Sequence, residues 1–96
     1  MKIDHIAFQV KNPRLAAEWY SNNFNAEILY IDETWAFIQF ENIKMAFVIK
    51  EQHPVHIAFE DPSLTAGKRH RDGSISIYKK DPFGNFYEII KYPEKK

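Results

Sequence analysis

The sequence contains no cysteine, which excludes a disulfide framework and a thiolate zinc site. Net charge is absent too: 13 basic residues balance 13 acidic ones. A nucleic-acid binder needs an excess of cations, so the local clusters KRHR (68–71) and PEKK (93–96) are read as loop and tail. No continuous apolar run is long enough to span a bilayer, and Met1-Lys2-Ile3-Asp4 opens no cleavable signal pattern. These absences point to a soluble cytoplasmic domain that binds neither nucleic acid nor membrane. What is present supports a packed core: 45% of the 96 residues are hydrophobic and 16% aromatic, well outside the disordered range. A chain of this length makes one domain, close to the smallest that a single core supports without staples.

Hydrophobic periodicity orders the chain. Residues 3–10 alternate as a strand, with Ile6, Phe8 and Val10 on one side and His5, Ala7 and Gln9 on the other. Asn12-Pro13 then starts a helix, Asn as cap and Pro at the first helical position. In PRLAAEWYSNNF, Leu15 and Trp19, then Ala16, Tyr20 and Phe24, recur at helical spacing. Strands follow at 27–31, 34–40 and 43–49, separated by Asp32-Glu33 and Glu41-Asn42, short enough for tight hairpins. After the short polar connection EQHP (51–54), a strand at 55–60 leads into DPSLTAGKRHRDG, a loop with one short turn near Pro62–Ala66. SISIYKK (74–80) and FYEIIKY (86–92) form a hairpin around DPFG, whose Asp, Pro and Gly mark a type I turn. The tail PEKK is expected to fray.

One tetrapeptide is written twice. His-Ile-Ala-Phe occurs in DHIAFQV (4–10) and in VHIAFED (55–61). MAFVIK (45–50) and FYEIIK (86–91) also align without gaps, matching Phe47 with Glu88. Self-similarity on this scale indicates two copies of one supersecondary unit, the second shortened. The repeat either reflects what the fold favours or holds two halves of one site. Strand parity puts His5 with Ala7 and Gln9, and His56 with Ala58 and Glu60. Glu88 shares its face with Phe86 and Ile90, where an unpaired carboxylate is costly. Two imidazoles and one carboxylate around open positions form the facial ligand set of a divalent metal, notably non-haem Fe(II).

DHIAFQVKNPRLAAEWYSNNFNAEI and DPFGNFYEII resemble the opening and closing signatures of the vicinal oxygen chelate superfamily, which includes glyoxalase I, bleomycin- and fosfomycin-resistance proteins and extradiol dioxygenases. The closing stretch resembles the superfamily's D-P-x-G-N-x-x-E pattern, and the likeness covers nearly all the chain except 61–73. It implies an α+β fold of paired βαβββ modules in an open, curved mixed sheet around a metal cleft. Module one would span 1–52 and a truncated module two 53–96, lacking the helix and one strand. The resemblance also implies metal ligands at His5, His56 and Glu88, holding Fe, Mn, Zn or Ni. The position of a fourth, glyoxalase-type ligand would fall at Phe47, so the set looks more like a dioxygenase's. A small metal-dependent enzyme of dioxygenase or lyase/isomerase type is the leading expectation, acting on an oxygen-bearing small molecule. The alternative is a drug-sequestering, bleomycin-resistance-like dimer without metal or catalysis.

Other residues carry subsidiary expectations. Homodimer contact is expected to replace part of the missing helix. If DPFG is a four-residue loop, Ile77 pairs with Glu88, and Ile75 and Ile77 share the Glu88 face. If Glu41-Asn42 is a two-residue turn, Trp35, Phe37, Ala46 and Val48 give the helix its apolar bed; Trp19, Trp35 and Phe37 are read as core, with a substrate platform as the alternative. Met45 and Phe47 fit either cleft or core, and Tyr78 and Tyr87 either cleft rim or dimer surface. Gln9 and Glu60 are candidates to support the ligands. His53 and His70 are read as solvated imidazoles, with a general-base role as the alternative. KRHR is read as a solvated loop, with attraction of an anionic substrate as its alternative.

Overall fold

The computed structural model describes residues 1–94; the end of the PEKK tail lies outside them. Strand β1 (Lys2–Gln9) leads into helix α1 (Pro13–Phe24). β2 (Glu27–Ile31), β3 (Trp35–Gln39) and β4 (Lys44–Val48) complete the first unit. The second unit contains β5 (His56–Glu60), β6 (Lys68–Arg69), β7 (Ile75–Lys80) and β8 (Phe86–Lys91). Among the described residues all eight strands join one sheet in the order β2-β3-β4-β1-β5-β8-β7-β6. The order is a mirrored pair of four-strand units: β1 is flanked by parallel β4, and β5 by parallel β8. Antiparallel β1 and β5 join the halves, with Ile6 opposite Ile57 and Ala7 opposite His56. The strand expected to be missing survives as the two-residue β6, and no second helix occurs among the described residues.

Helix α1 begins and ends by side-chain chemistry. Asn12 Oδ1 accepts from the Leu15 N–H at 3.1 Å, and Pro13 needs no partner for a missing N–H. Asn25 closes the helix in the left-handed region at φ 56°. The buried Ala17 lets the helix lie against Ala36, Ile38 and Phe47, with Tyr20 and Met45 packed around them. Met45 and Phe47 therefore belong to the core.

The helix bed differs from the expected one. The two-residue Glu41-Asn42 turn forms, Phe40 N–H donating to Ile43 O at 2.9 Å, and Trp35, Phe37, Ala46 and Val48 do share a face. That face is the opposite one, away from the helix, where Trp35 and Phe37 pack on Ala7, Ala46 and Val48. Parity groups the residues correctly but cannot say which group the helix covers. Trp19 is 54% exposed, on the outer side of α1.

The second hairpin is shifted by one residue. Asp81 N–H donates to Asn85 O at 2.9 Å, so Pro82-Phe83-Gly84 forms a three-residue loop and Tyr78, not Ile77, lies opposite Glu88. The cause is Asp81: its Oδ1 accepts from the N–H groups of Phe83 (2.8 Å) and Asn85 (2.9 Å), while Gly84 takes φ 88°. A type I turn followed by a left-handed glycine is the standard three-residue hairpin connection. The slip puts Ser76 and Tyr78 on the Glu88 face and Ile75 and Ile77 behind it.

Candidate metal centre

Registered neighbours place His5, His56 and Glu88 on the helix-free face. His5 lies opposite Ala58, His56 opposite Ala7, and Ala58 opposite Glu88. The small alanines between them leave room for the larger side chains to meet. One ligand atom from each residue lies within 4.8 Å of the others, and all three residues are buried. Glu88 Oε1 is 3.3 Å from His5 Nε2 and 3.4 Å from His56 Nε2. The same register shows which residue of the first unit corresponds to Glu88. Ala7 pairs with Ala46 as Ala58 pairs with Glu88, so the equivalent is Ala46 rather than Phe47, whose ring points to the helix.

The other ring nitrogen of each histidine is committed elsewhere. His5 Nδ1 donates to Asp4 Oδ2 at 2.7 Å, and His56 Nδ1 donates to the Pro54 carbonyl at 2.7 Å. A proton on each Nδ1 leaves a lone pair on each neutral Nε2, facing the carboxylate. His56 Nε2 is buried without a hydrogen-bond partner. Three electron-pair donors in contact repel unless a cation or a proton lies among them. The donor set of two imidazoles and one carboxylate suits Zn, Fe, Mn or Ni. These residues thus fit a divalent metal.

Asp4 is the main feature that parity misses. The β1–β5 register shifts between Ile3 and His5, and this bulge allows the adjacent Asp4 and His5 to be buried together, each 7% exposed. Tyr92 donates its hydroxyl proton to Asp4 Oδ2 at 2.6 Å, and Lys44 Nζ lies 3.0 Å from Oδ1. Asp4 thereby orients His5 and is itself fully satisfied. The only signals in the sequence are the adjacent Asp-His pair and a tyrosine just past the last strand. Gln9 instead donates to the His53 carbonyl at 2.8 Å, and Glu60 lies outside the cluster.

The charges are strongly coupled. Burial pushes Glu88 upward, but contacts with His5 and His56 reverse this and hold it far below the usual carboxylate range. Burial lowers His5, yet Asp4 and Glu88 outweigh it and leave His5 raised. Asp4 is lowered despite burial, through His5, Tyr92 and Lys44. His53 is lowered by burial and by His56, so its imidazole is neutral at neutral pH.

The cluster forms the floor of a cleft of about 690 Å³, within the size range of small-molecule sites. Trp35 and Phe37 line one wall, Tyr78 rises beside His56, and the KRHR stretch forms part of the opposite wall. His53 and His70, expected in solvent, both line this space, and Tyr78 OH lies 3.0 Å from His53 Nδ1. Tyr78 is thus a cleft residue, whereas Tyr87 lies on the back of the sheet opposite Ile57.

No protein-family profile and no curated protein matches the sequence. Solved structures do match the fold. A variant of Streptomyces coelicolor methylmalonyl-CoA epimerase, in complex with 2-nitronate-propionyl-CoA, superposes with a TM-score of 0.77 at 15% identity, covering 96% of this chain and 94% of that one. A Legionella pneumophila protein described as an NAD-dependent benzaldehyde dehydrogenase gives 0.71 at 15% identity, covering 93% and 98%. A hypothetical protein from Bacillus halodurans gives 0.70 at 13%, covering 99% and 96%. Likeness at these identities establishes the fold; the differing activities named for the neighbours leave the chemistry to be argued from the site.

Proposed function

We propose, on the premise of the vicinal oxygen chelate fold that this chain adopts, that His5, His56 and Glu88 hold a divalent metal and that the protein is a small metal-dependent enzyme. Its substrate is an oxygen-bearing small molecule that reaches the metal through two vicinal oxygens, and the reaction is of dioxygenase or lyase/isomerase type. The observation that carries this reading is the convergence of both Nε2 atoms on one buried carboxylate, with His56 Nε2 lacking any hydrogen-bond partner. The ion would supply Lewis acidity toward an enolate or, as iron, oxygen chemistry. The chain's own residues do the rest. Asp4 and the Pro54 carbonyl fix both imidazoles in the ligating tautomer. Trp35 and Phe37 keep water from one wall, and neutral His53 stands beside the cleft to accept a proton.

Metal analysis after purification without chelator tests the reading. One equivalent of metal is expected, abolished by His56→Ala and by Glu88→Gln. Asp4→Asn keeps all three ligands but loses the carboxylate on His5, and should weaken zinc affinity roughly 10- to 100-fold. A wild type that takes up no iron, manganese, zinc or nickel would overturn the proposal. If that metal-free protein still bound small aromatics, the drug-sequestering reading would replace it, since the aromatic lining favours such ligands with or without an ion.

The working unit in this reading is a homodimer. Helix α1 covers Ala36, Ile38 and Phe47 behind the first unit, whereas Ile57 is 40% exposed on the second unit's back, with Phe59, Tyr87 and Ile89 on the same face. A second copy of the chain would cover it.

A further inference from the structure

The two walls of the cleft come from different halves and differ in character. On one side, an aromatic ladder runs from the mouth to the floor. Tyr30 stacks on Trp35 with ring centroids 4.6 Å apart and planes 24° from parallel. Trp35 meets Phe37 at 5.7 Å, and Phe37 stands edge-on to His5 at 5.2 Å. The Tyr30 hydroxyl is held by Asp32. Such a ladder receives a flat apolar group and guides it to the floor.

The other wall is cationic. Lys68, Arg69 and Arg71 line the cleft, and among the described residues none of them pairs with a carboxylate. The acidic residue beside them, Asp72, uses its Oδ1 to accept from Ser74 N–H (2.9 Å) and Ser74 Oγ (2.6 Å). Counting the formal charges that line the cleft, three cations face Asp72 and Glu88, in a chain whose total charge is zero. A metal at the floor would add to this positive balance. The cations also sit on a held backbone. Lys68 pairs with Ser76 and Arg69 with Ile75, while His70 Nε2 is 2.6 Å from Ser76 Oγ. Gly67 makes this approach possible, since a Cβ there would lie 2.6 Å from the Ser76 carbonyl oxygen. Three cations within four residues repel one another, and an anion between them and the ladder relieves that repulsion.

We infer that the cleft selects an aryl-bearing anion, its ring against Tyr30, Trp35 and Phe37 and its negative group against Lys68, which lies opposite Ser76 on the Glu88 face, and Arg71. The inference rests on the proposed function for the vicinal oxygens at the floor. The two walls, however, are present with or without a metal, and this makes separate tests possible.

Three probes separate the contributions: phenylacetate has ring and charge, phenylacetamide the same ring without charge, and acetate the charge without the ring. Affinities are read by ligand-observed NMR on the full chain, chelator-treated and zinc-loaded. In the chelator-treated protein phenylacetate is expected to bind roughly five- to thirty-fold more tightly than phenylacetamide, the scale of two partly exposed ion pairs. It should also bind more tightly than acetate. The double variant Lys68→Gln/Arg71→Gln, at exposed positions, should erase the first gap, and Trp35→Leu should shrink the second. Equal binding of phenylacetate and phenylacetamide overturns the inference. So does a gap that survives the double variant, or one that appears only with zinc and therefore belongs to the floor. Failure of the metal reading shows separately, as absent metal in the analysis above, and leaves the chelator-treated comparison intact.

Discussion

Without a metal, a second proton on His5 would stand in for the cation, its Nδ1–H facing Asp4 and its Nε2–H facing Glu88. His5 is raised above its ordinary value of 6.5, so its contribution to stability is complete below that pH and is lost as pH climbs through the raised value. Glu88 and Asp4 are lowered from 4.5 and 3.8, so theirs is complete above those values and is lost as pH falls through the lowered ones. Chelator-treated protein should therefore melt highest between about 4.5 and 6.5, declining on both sides. Saturating zinc should raise the alkaline limb most, because the ion displaces the His5 proton more easily as pH rises. Melting curves across pH with and without zinc check this; an alkaline limb unaffected by His5→Gln would remove His5 as its cause. At this scale, the repeat paired His5 with His56, while Glu88 joined them through the resemblance carried by the closing stretch DPFGNFYEII. Asp4 was not legible, because parity assumes an unbroken strand and the bulge breaks it.

Among the elements, the 81–85 turn decides the most with the fewest residues. Its aspartate selects a three-residue loop, and the loop determines which face of β7 joins the cleft. Gly84, at φ 88° with open space where a Cβ would lie, isolates the backbone cost. Gly84→Ala is predicted to destabilise the fold by about 1–2 kcal/mol, the ordinary price of a left-handed non-glycine residue. The urea midpoint should fall with the slope unchanged, and an unchanged midpoint would show that the turn relaxes to another type. The sequence marked the turn but not its length, since Asp-Pro-x-Gly suits both a three- and a four-residue connection. The helix start at Asn12-Pro13 was fully legible because its capping bond is local. β6 was not, because two residues give no periodicity to read.

On the scale of the whole molecule, one half of the sheet has a helix behind it and the other does not. Ala17 of α1 and, beneath it, Ala36, Ile38 and Phe47 are fully buried, whereas Ile57, Phe8 and Ile3 are 40%, 41% and 48% exposed on the same side of the sheet. Apolar surface of this kind is costly to leave in water. If two copies cover it, the melting temperature should rise with protein concentration. Ile57→Glu, at a position open in the single chain, should abolish that rise while preserving the folded signal. A concentration-independent melt together with a monomeric mass in ultracentrifugation would refute the dimer. The missing helix was visible as polar, glycine-interrupted sequence at 61–73, but the identity of its replacement is not written in one chain.

The sequence alone determined what depends on neighbouring residues: the longer strands, the capped helix, the site of each hairpin turn and the repetition that makes two similar halves. Local spacing also grouped residues by face, as with Trp35, Phe37, Ala46 and Val48. Only the tertiary structure decided which group the helix would cover, because both faces of a two-sided apolar sheet offer it hydrophobic surface. It likewise decided that Asp4 would join His5 and that the basic stretch would face the aromatic ladder. Those outcomes depend on a bulge, a turn length and a chain reversal, each of which a one-residue shift would undo.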